Sequence, residues 1–393
     1  MKPSRRLFMT LAVILVTMVA LLTRLRAADL LPIDYDEDGY LAASQHYALA
    51  IAAGDLSAII NYRFTYEHPP LAKIAYGLAL LPLPETPLIR EASPFFPPPS
   101  TLPQPHFHVA RLLSVSFGVL DVTLLALLNP LAGLFLAIFS WQIKYTSQVM
   151  LESLPSLTST LAVLCYVRGR RSQMSLAGGR LRWNHWMLFS AVALGLTAAS
   201  KYTYCVVGVA ILVDWLWANV QENRTDRTST SSIVGIVPGL GAILLWGAMA
   251  MVIFVAADPY LWTNPFARLR QSLLYHHDFG ISVLVQNAGM PIWQPVIWLT
   301  QSVPWHPDIF VVRLDLWITL LAVLGFRRLW SRQRVFALWL LIALGFLMIW
   351  PTKWPHYVLT LTTPLTLAAA SGVQAFWEPG RTWYRYIRDH QGA

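Results

Sequence analysis

The sequence predicts an all-α polytopic membrane protein, and three features of it carry that prediction. Hydrophobic residues fill 56% of the 393 positions, only 12% of residues are charged, and mean hydropathy is +0.50, a balance outside that of ordinary soluble domains. Apolar runs of helical length recur along the chain. The 29 lysines and arginines, against 20 acids for a net charge of +9, gather in short clusters between those runs. That clustering is how topology signals are arranged, not a polynucleotide-binding surface, so no nucleic-acid partner is expected.

The elements follow in order. The chain opens MKPSRRLFMTLAVILVTMVALLTRL, a basic start and an apolar run of about 19 residues with no convincing small-residue cleavage site, so it reads as an uncleaved first span. Further runs lie near 109–128, 131–146, 153–167, 186–200, 202–218, 233–256, 308–326, 335–350 and 358–376. Together they predict a bundle of about ten transmembrane helices in a single integral membrane domain, 1–393. LAKIAYGLALLPL at 71–83 is too short to span and suits a helix lying at the interface. The proline-rich PFFPPPSTLPQP at 94–105 reads as a stiff connector.

Orientation follows from the basic clusters: Lys2, Arg5 and Arg6; Arg168, Arg170, Arg171, Arg180 and Arg182; Arg327, Arg328, Arg332 and Arg334; Arg381, Arg385 and Arg388. With ten spans all four clusters fall on one side, which the positive-inside rule makes cytoplasmic. Both termini, including a basic tail at 377–393, are then cytoplasmic. The extracytoplasmic segments are 28–108, a turn at Glu152, another at Lys201, the loop 257–307, and PTKWPHY at 351–357. Multi-pass insertion in a plasma membrane is the expected location. Cys165 and Cys205 sit in separate apolar runs near opposite faces, where no bridge is expected.

The first outer loop begins LPIDYDEDGYLAASQHYALA, residues 31–50, with Asp34, Asp36, Glu37 and Asp38 packed into five positions. Adjacent carboxylates such as Asp36 and Glu37 can take a proton from a hydroxyl, ligate a divalent cation, or stay solvated. Other ionisable groups share their side: Glu152, Lys201, Lys353 and His356 at outer helix ends, and Arg111 at the start of the second span. Ionisable groups at that depth tend to mark a substrate path, although lysines there also snorkel and an acid also caps a helix. Cations facing a pair of acids suit an anionic lipid headgroup beside a base. Asp121 and Asp214 lie deeper and read as structural. YHHDFG at 275–280 adds His276, His277 and Asp278 to Asp36, Glu37 and Glu152 as oxygen and nitrogen donors. Their spacing is no recognised metal signature, so a divalent cation stays an open option and no organic cofactor is expected.

The order of these pieces resembles a known family. DE after the first span, EHPPLAK, an acid after the third span, GLTAASKY and KWPHYVLTLTTPL are similar to the GT-C glycosyltransferases, in particular the group of dolichyl-phosphate-mannose protein mannosyltransferases and aminoarabinose transferases. The resemblance runs from about residue 8 to 376, and DYDEDGY and HPPLAK are its most specific parts. It implies a glycosyltransferase with a polyprenyl- or dolichyl-phosphate sugar as donor, acting on the extracytoplasmic face. Position by position, it makes Asp36 the catalytic base and Glu37 its partner. Glu67, His68, Pro69, Pro70 and Lys73 line the site, with His276 and His277 shaping it from the later loop. Lys201, Lys353, His356, Tyr357 and Arg111 fall near the donor phosphate. Glu152 stands where the family more often has Asp, and Asp38 is not a usual feature.

The chemistry fits those residue types. A polyprenyl phosphate is already a good leaving group, so the site needs cations for the departing phosphate and one carboxylate for the acceptor's proton. Direct displacement inverts the anomeric centre. The acceptor class, lipid, glycan or protein, is open. The rival classes are a carrier or flippase of lipid-linked sugars, which would show an inverted repeat not found here, and a noncatalytic headgroup binder, which would not place acids beside a phosphate.

Overall fold

The computed structural model describes residues 3–86, 88–89, 102–174, 183–225, 236–304 and 306–390. Most of the proline-rich connector, Arg180 and Arg182 lie outside the described residues, and the side chains of the basic tail are not described. Every regular element among the described residues is helical: α1 (Pro3–Leu30), α2 (Glu37–Ala52), α3 (Leu56–Asn61), α4 (Leu71–Leu80), α5 (Gln104–Leu128), α6 (Pro130–Ile138), α7 (Ser140–Tyr145), α8 (Ser153–Met174), α9 (His185–Ser200), α10 (Val206–Thr225), α11 (Ile236–Ala256), α12 (Pro265–Gly280), α13 (Val283–Ala288), α14 (Gln294–Thr300), α15 (Asp315–Arg332), α16 (Arg334–Ile349) and α17 (Leu359–His390).

Four stretches are long and apolar enough to cross a bilayer, Arg6–Leu30, Gln104–Leu128, Tyr202–Gln221 and Pro355–Ala375. Shorter apolar helices include His185–Ser200, Leu240–Ala256 and Arg334–Ile349. The chain is a polytopic helical membrane protein. Its α4, at ten residues, reaches only about 15 Å at 1.5 Å per residue, half of a hydrocarbon core. It packs instead against α2.

Two expected spans are built differently. The run 131–146 is not one helix but two, α6 and α7. Asn129 caps α6 by accepting from the Leu131 and Ala132 amides at 3.1 and 3.3 Å, Pro130 opens it, and extended Phe139 ends it. The orphaned carbonyls of Leu136 and Ala137 then accept hydrogen bonds from Arg24 of α1 at 3.5 and 3.3 Å, and Arg24 also donates to Thr146 at 2.9 Å. The run 308–326 becomes helical only at Asp315. That buried carboxylate accepts from the Ser140 amide at 2.8 Å, the first N–H of α7, and from the Ser140 hydroxyl at 3.0 Å. One acid thus caps α7 and starts α15. These breaks take 140–152 out of any single long helix and bring Lys144, Gln148 and Val149 against residues 32–37.

Around this segment α1 packs on α5 and α6, α8 on α9, α9 on α11, α10 on α16 and α15 on α17. Gly325 and Gly372 sit where the backbones of α15 and α17 meet, each so close to the other helix that a Cβ would strike a carbonyl oxygen. Small residues at such crossings are the usual device of helix pairs in lipid. Cys165 and Cys205 are both free.

Candidate active site

The acidic segment divides its carboxylates into two kinds. Glu37, the first residue of α2, is wholly buried. One of its oxygens accepts from Arg111 Nε at 2.9 Å and the Val149 amide at 2.6 Å, and the other from Arg111 Nη2 at 2.6 Å and the Asp34 amide at 2.9 Å. Burial pushes its pKa up and Arg111 opposes the shift. The remaining Arg111 donors go to the carbonyls of Ala28, Leu31 and Pro32 at 2.7, 2.8 and 3.0 Å. Arg111 was expected at the donor phosphate. Its guanidinium is instead fully engaged, a bidentate pair with further backbone bonds that fastens the end of α1, the start of α2, α5 and the 148–149 turn together.

Asp36, the N-cap of α2, makes no capping bond with its side chain. Among the described residues its carboxylate accepts one hydrogen bond, from the Tyr40 hydroxyl at 3.4 Å, one turn along the helix. Burial pushes its carboxyl up to about 7, with Lys201 opposing and Glu152, Asp34 and Glu67 adding. Those neighbours form the rest of the site. Asp34 is ion-paired with Lys144 and Glu152 with Lys201. The second Glu152 oxygen is buried without a partner, and His356 Nε2 stands 3.9 Å from the first. Lys201 lies over the Tyr357 ring at 5.3 Å and Lys144 over the Tyr145 ring at 4.4 Å. The break between α6 and α7 is what carries Lys144, Tyr145 and Glu152 here.

The EHPPLAK segment supplies a third wall. Thr65 adopts a left-handed φ of 55°, and Lys73 holds the turn by donating to the Thr65 carbonyl and hydroxyl at 2.7 and 3.0 Å and to the His68 carbonyl at 2.9 Å. Lys73 therefore shapes the wall and has no free face for a ligand. Pro69 and Pro70 are buried, Pro70 as the N-cap of α4. The His68 ring lies 6.0 Å from Tyr40 and 5.2 Å from His276, whose Nε2 bonds the Glu67 carbonyl at 2.9 Å. Burial, with Lys201 beside it, holds His68 well below the ordinary histidine range, hence neutral.

Two expected residues stand apart. Lys353 donates to the Trp350 carbonyl at 2.5 Å and lines a cavity of about 180 Å³ with Trp354 and Met290. His277 is exposed and paired only with Asp278 at 3.1 Å. Among the described residues no group of three or more His, Cys, Asp or Glu converges in a way that would hold a metal ion. Asp36, Glu37 and Glu152 do not form one because Arg111 and Lys201 engage two of the three. Sequence reasoning missed Lys144, hidden in WQIKY inside an apolar run, and Tyr40, whose i+4 spacing from Asp36 was a usable signal. Asp34, given no separate role from the sequence, joins the site through Lys144. Asp214 accepts from Tyr166, Arg170 and Arg334 at 2.8, 2.6 and 2.7 Å, away from the site.

No family model and no curated protein matches the sequence. Solved structures do match its fold. ArnT from Cupriavidus metallidurans in the apo state aligns with a TM-score of 0.55 at 15% identity, over 96% of this chain and 62% of ArnT. The same protein bound to undecaprenyl phosphate gives 0.51 at 15% identity, over 95% and 60%. The chain has the GT-C fold. The oligosaccharyltransferase AglB from Archaeoglobus fulgidus, in complex with an inhibitory peptide and a dolichol-phosphate, aligns at 0.54 with 10% identity, over 99% of this chain and 52% of AglB. The chain thus spans roughly half to three fifths of the length of these proteins, and at such identities the likeness is one of fold.

Proposed function

We propose that the chain is an integral membrane glycosyltransferase that moves a sugar from a polyprenyl- or dolichyl-phosphate donor to an extracytoplasmic acceptor, with Asp36 as the general base. One observation carries the reading. Of the described acids gathered at the site, Asp34, Glu37 and Glu152 are each paired with a cation; Asp36 and Glu67 are not, and of these two Asp36 lies beside Lys201 and Glu152 and holds only a long bond from a phenol. A carboxylate with free lone pairs and a pKa near 7 is suited to accept a proton in the transition state at neutral pH. The ArnT and AglB structures, crystallised with undecaprenyl phosphate and dolichol-phosphate, support the donor class.

In this scheme Lys201, Lys144 and His356 face the departing phosphate, which competes with Glu152 and Asp34 for the two lysines. The acceptor hydroxyl gives its proton to Asp36 as its oxygen bonds the anomeric carbon. The carbon–oxygen bond to the phosphate breaks on the opposite side, so the configuration inverts. Glu37 and Arg111 act as positioning residues: they fix the backbone of 34–37 and through it the direction of Asp36. Lys353, which donates to the Trp350 carbonyl, has no part in this step.

The test is transfer from a panel of radiolabelled polyprenyl-phosphate sugars into lipid, glycan and protein fractions of membranes carrying the protein, with the anomeric configuration of product compared with that of donor. Transfer with inversion is expected. Retention would remove the single-displacement scheme, and binding of the lipid without transfer of any sugar would favour a carrier.

A further inference from the structure

Beside the 66–68 wall of the Asp36 site, α12 and Tyr66 line an open cleft of about 420 Å³. Its walls are unusual for a chain this apolar. Tyr275 and Phe279 lie parallel, 7° apart with centroids 6.2 Å from each other, and Tyr66 meets Tyr275 edge-on at 5.8 Å. Arg270, Gln271 and Asp278 share the lining. The Gln271 carbonyl oxygen accepts from Tyr260 at 3.1 Å, which leaves its amide hydrogens as donors.

These side chains recognise one chemistry well. Flat aromatic faces stack on the C–H faces of pyranose rings, and an Arg, a Gln and an Asp provide paired donors and acceptors for vicinal hydroxyls. The charges of Arg270 and Asp278 cancel, so the cleft suits a neutral polyol better than a phosphate, which goes to Lys201 and Lys144. Side-chain contacts connect the wall of the cleft to the base. Tyr66 adjoins Glu67 and His68, its carbonyl accepts from Ser272 of α12 at 2.9 Å, and His68 abuts Tyr40, which bonds Asp36. Burial pushes the Tyr275 phenol up to about 12, and the charges of Glu67 and Asp36 add to that shift.

We infer that this cleft is the acceptor subsite, and that the acceptor is a carbohydrate chain whose sugar rings stack on Tyr275 and Phe279 while one hydroxyl reaches Asp36. The inference rests on the transferase reading and narrows its acceptor from lipid, glycan or protein to glycan.

The experiment uses the full chain in detergent and measures binding of fluorescently labelled glucan, mannan and N-acetylglucosamine tetrasaccharides to wild type, Tyr275→Ala, Tyr275→Phe, Arg270→Ala and Asp36→Asn. The expected result is that at least one tetrasaccharide binds, that Tyr275→Ala and Arg270→Ala each weaken it by about tenfold, and that Tyr275→Phe and Asp36→Asn retain it. Tyr275 and Arg270 are exposed, so their variants are expected to fold, and thermal unfolding of each checks that. Saccharide binding unaffected by Tyr275→Ala and Arg270→Ala would overturn the inference, as would preference for a peptide or a lipid over every saccharide. Sugar transfer from the donor panel into membrane fractions is measured alongside. If it occurs while saccharide binding ignores the cleft, only this inference fails; if wild type transfers no sugar from any donor, the transferase reading fails.

Discussion

The two ends of α8 hold buried acids in opposite electrostatic states. Glu152, immediately before the helix, belongs to the group around Asp36, and Arg170 near its other end belongs to the group around Asp214. Eighteen residues separate them, about 27 Å along the axis. Asp214 takes two arginines and a tyrosine hydroxyl, which fill three of about four acceptor positions and neutralise its charge. Asp36 takes one phenol at 3.4 Å. Both are carboxylates among apolar helices, so composition treats them alike. The number and kind of partners separates an acid that clamps helices from one able to receive a proton.

Neutralising each acid is the strongest way to break this comparison. Asp36→Asn is expected to lower transfer by about 100- to 10,000-fold, the range for a general base, with the lipid donor still bound. Asp214→Asn should leave transfer per folded molecule unchanged and lower thermal stability by about 2–4 kcal/mol, because two arginines lose their buried counter-ion. Glu37→Gln belongs with Asp214 in this respect, since it strands the buried Arg111, and an unfolding curve in detergent checks both. Loss of transfer in a fully folded Asp214→Asn protein would dissolve the distinction.

A finer test acts through Lys201, which lowers the Asp36 pKa. In Lys201→Gln the acid limb of the pH–rate profile should move to higher pH, and an unmoved limb would separate the two groups. The smallest expected effect is on stability. Asp36 titrates near 7 in the folded protein against 3.8 for the free group, so the folded state binds the proton more tightly. Wild type therefore loses stability as pH rises from about 4 to about 7, and the loss is complete above 7. Asp36→Asn escapes it. The variant should be more stable than wild type at pH 8, by at most about 4 kcal/mol, with the difference gone below about pH 4. Unfolding midpoints at the two pH values measure this.

Much of the fold could be read from local pattern. Hydropathy marks α1, α5, α10 and α17, and the shortness of 71–83 gives α4 as a helix too short to span. The start of α6 was written locally as Asn129-Pro130, but its break from α7 at Phe139 is stable only because Arg24 and Asp315, more than 100 positions away in the chain, satisfy the exposed backbone groups. A hydropathy average cannot register such distant partners. The site divides in the same way. DYDEDGY and EHPPLAK point to it directly. Yet Asp36 and Glu37 are neighbours of one chemical class, and only Arg111, 74 residues from Glu37, distinguishes them. Lys144 was masked by the apolar residues around it, and His277 lost its expected place because α12 turns it to solvent.

The central claim is that Asp36, a site carboxylate with no paired cation, takes the acceptor's proton, and the pH dependence of kcat/KM for sugar transfer tests it most directly. The account predicts a single acid limb in wild type with a midpoint near 7, activity rising as Asp36 loses its proton, and no such limb in the residual activity of Asp36→Asn. A wild-type profile flat from about pH 5 to 9, or a limb that persists in Asp36→Asn, would contradict it.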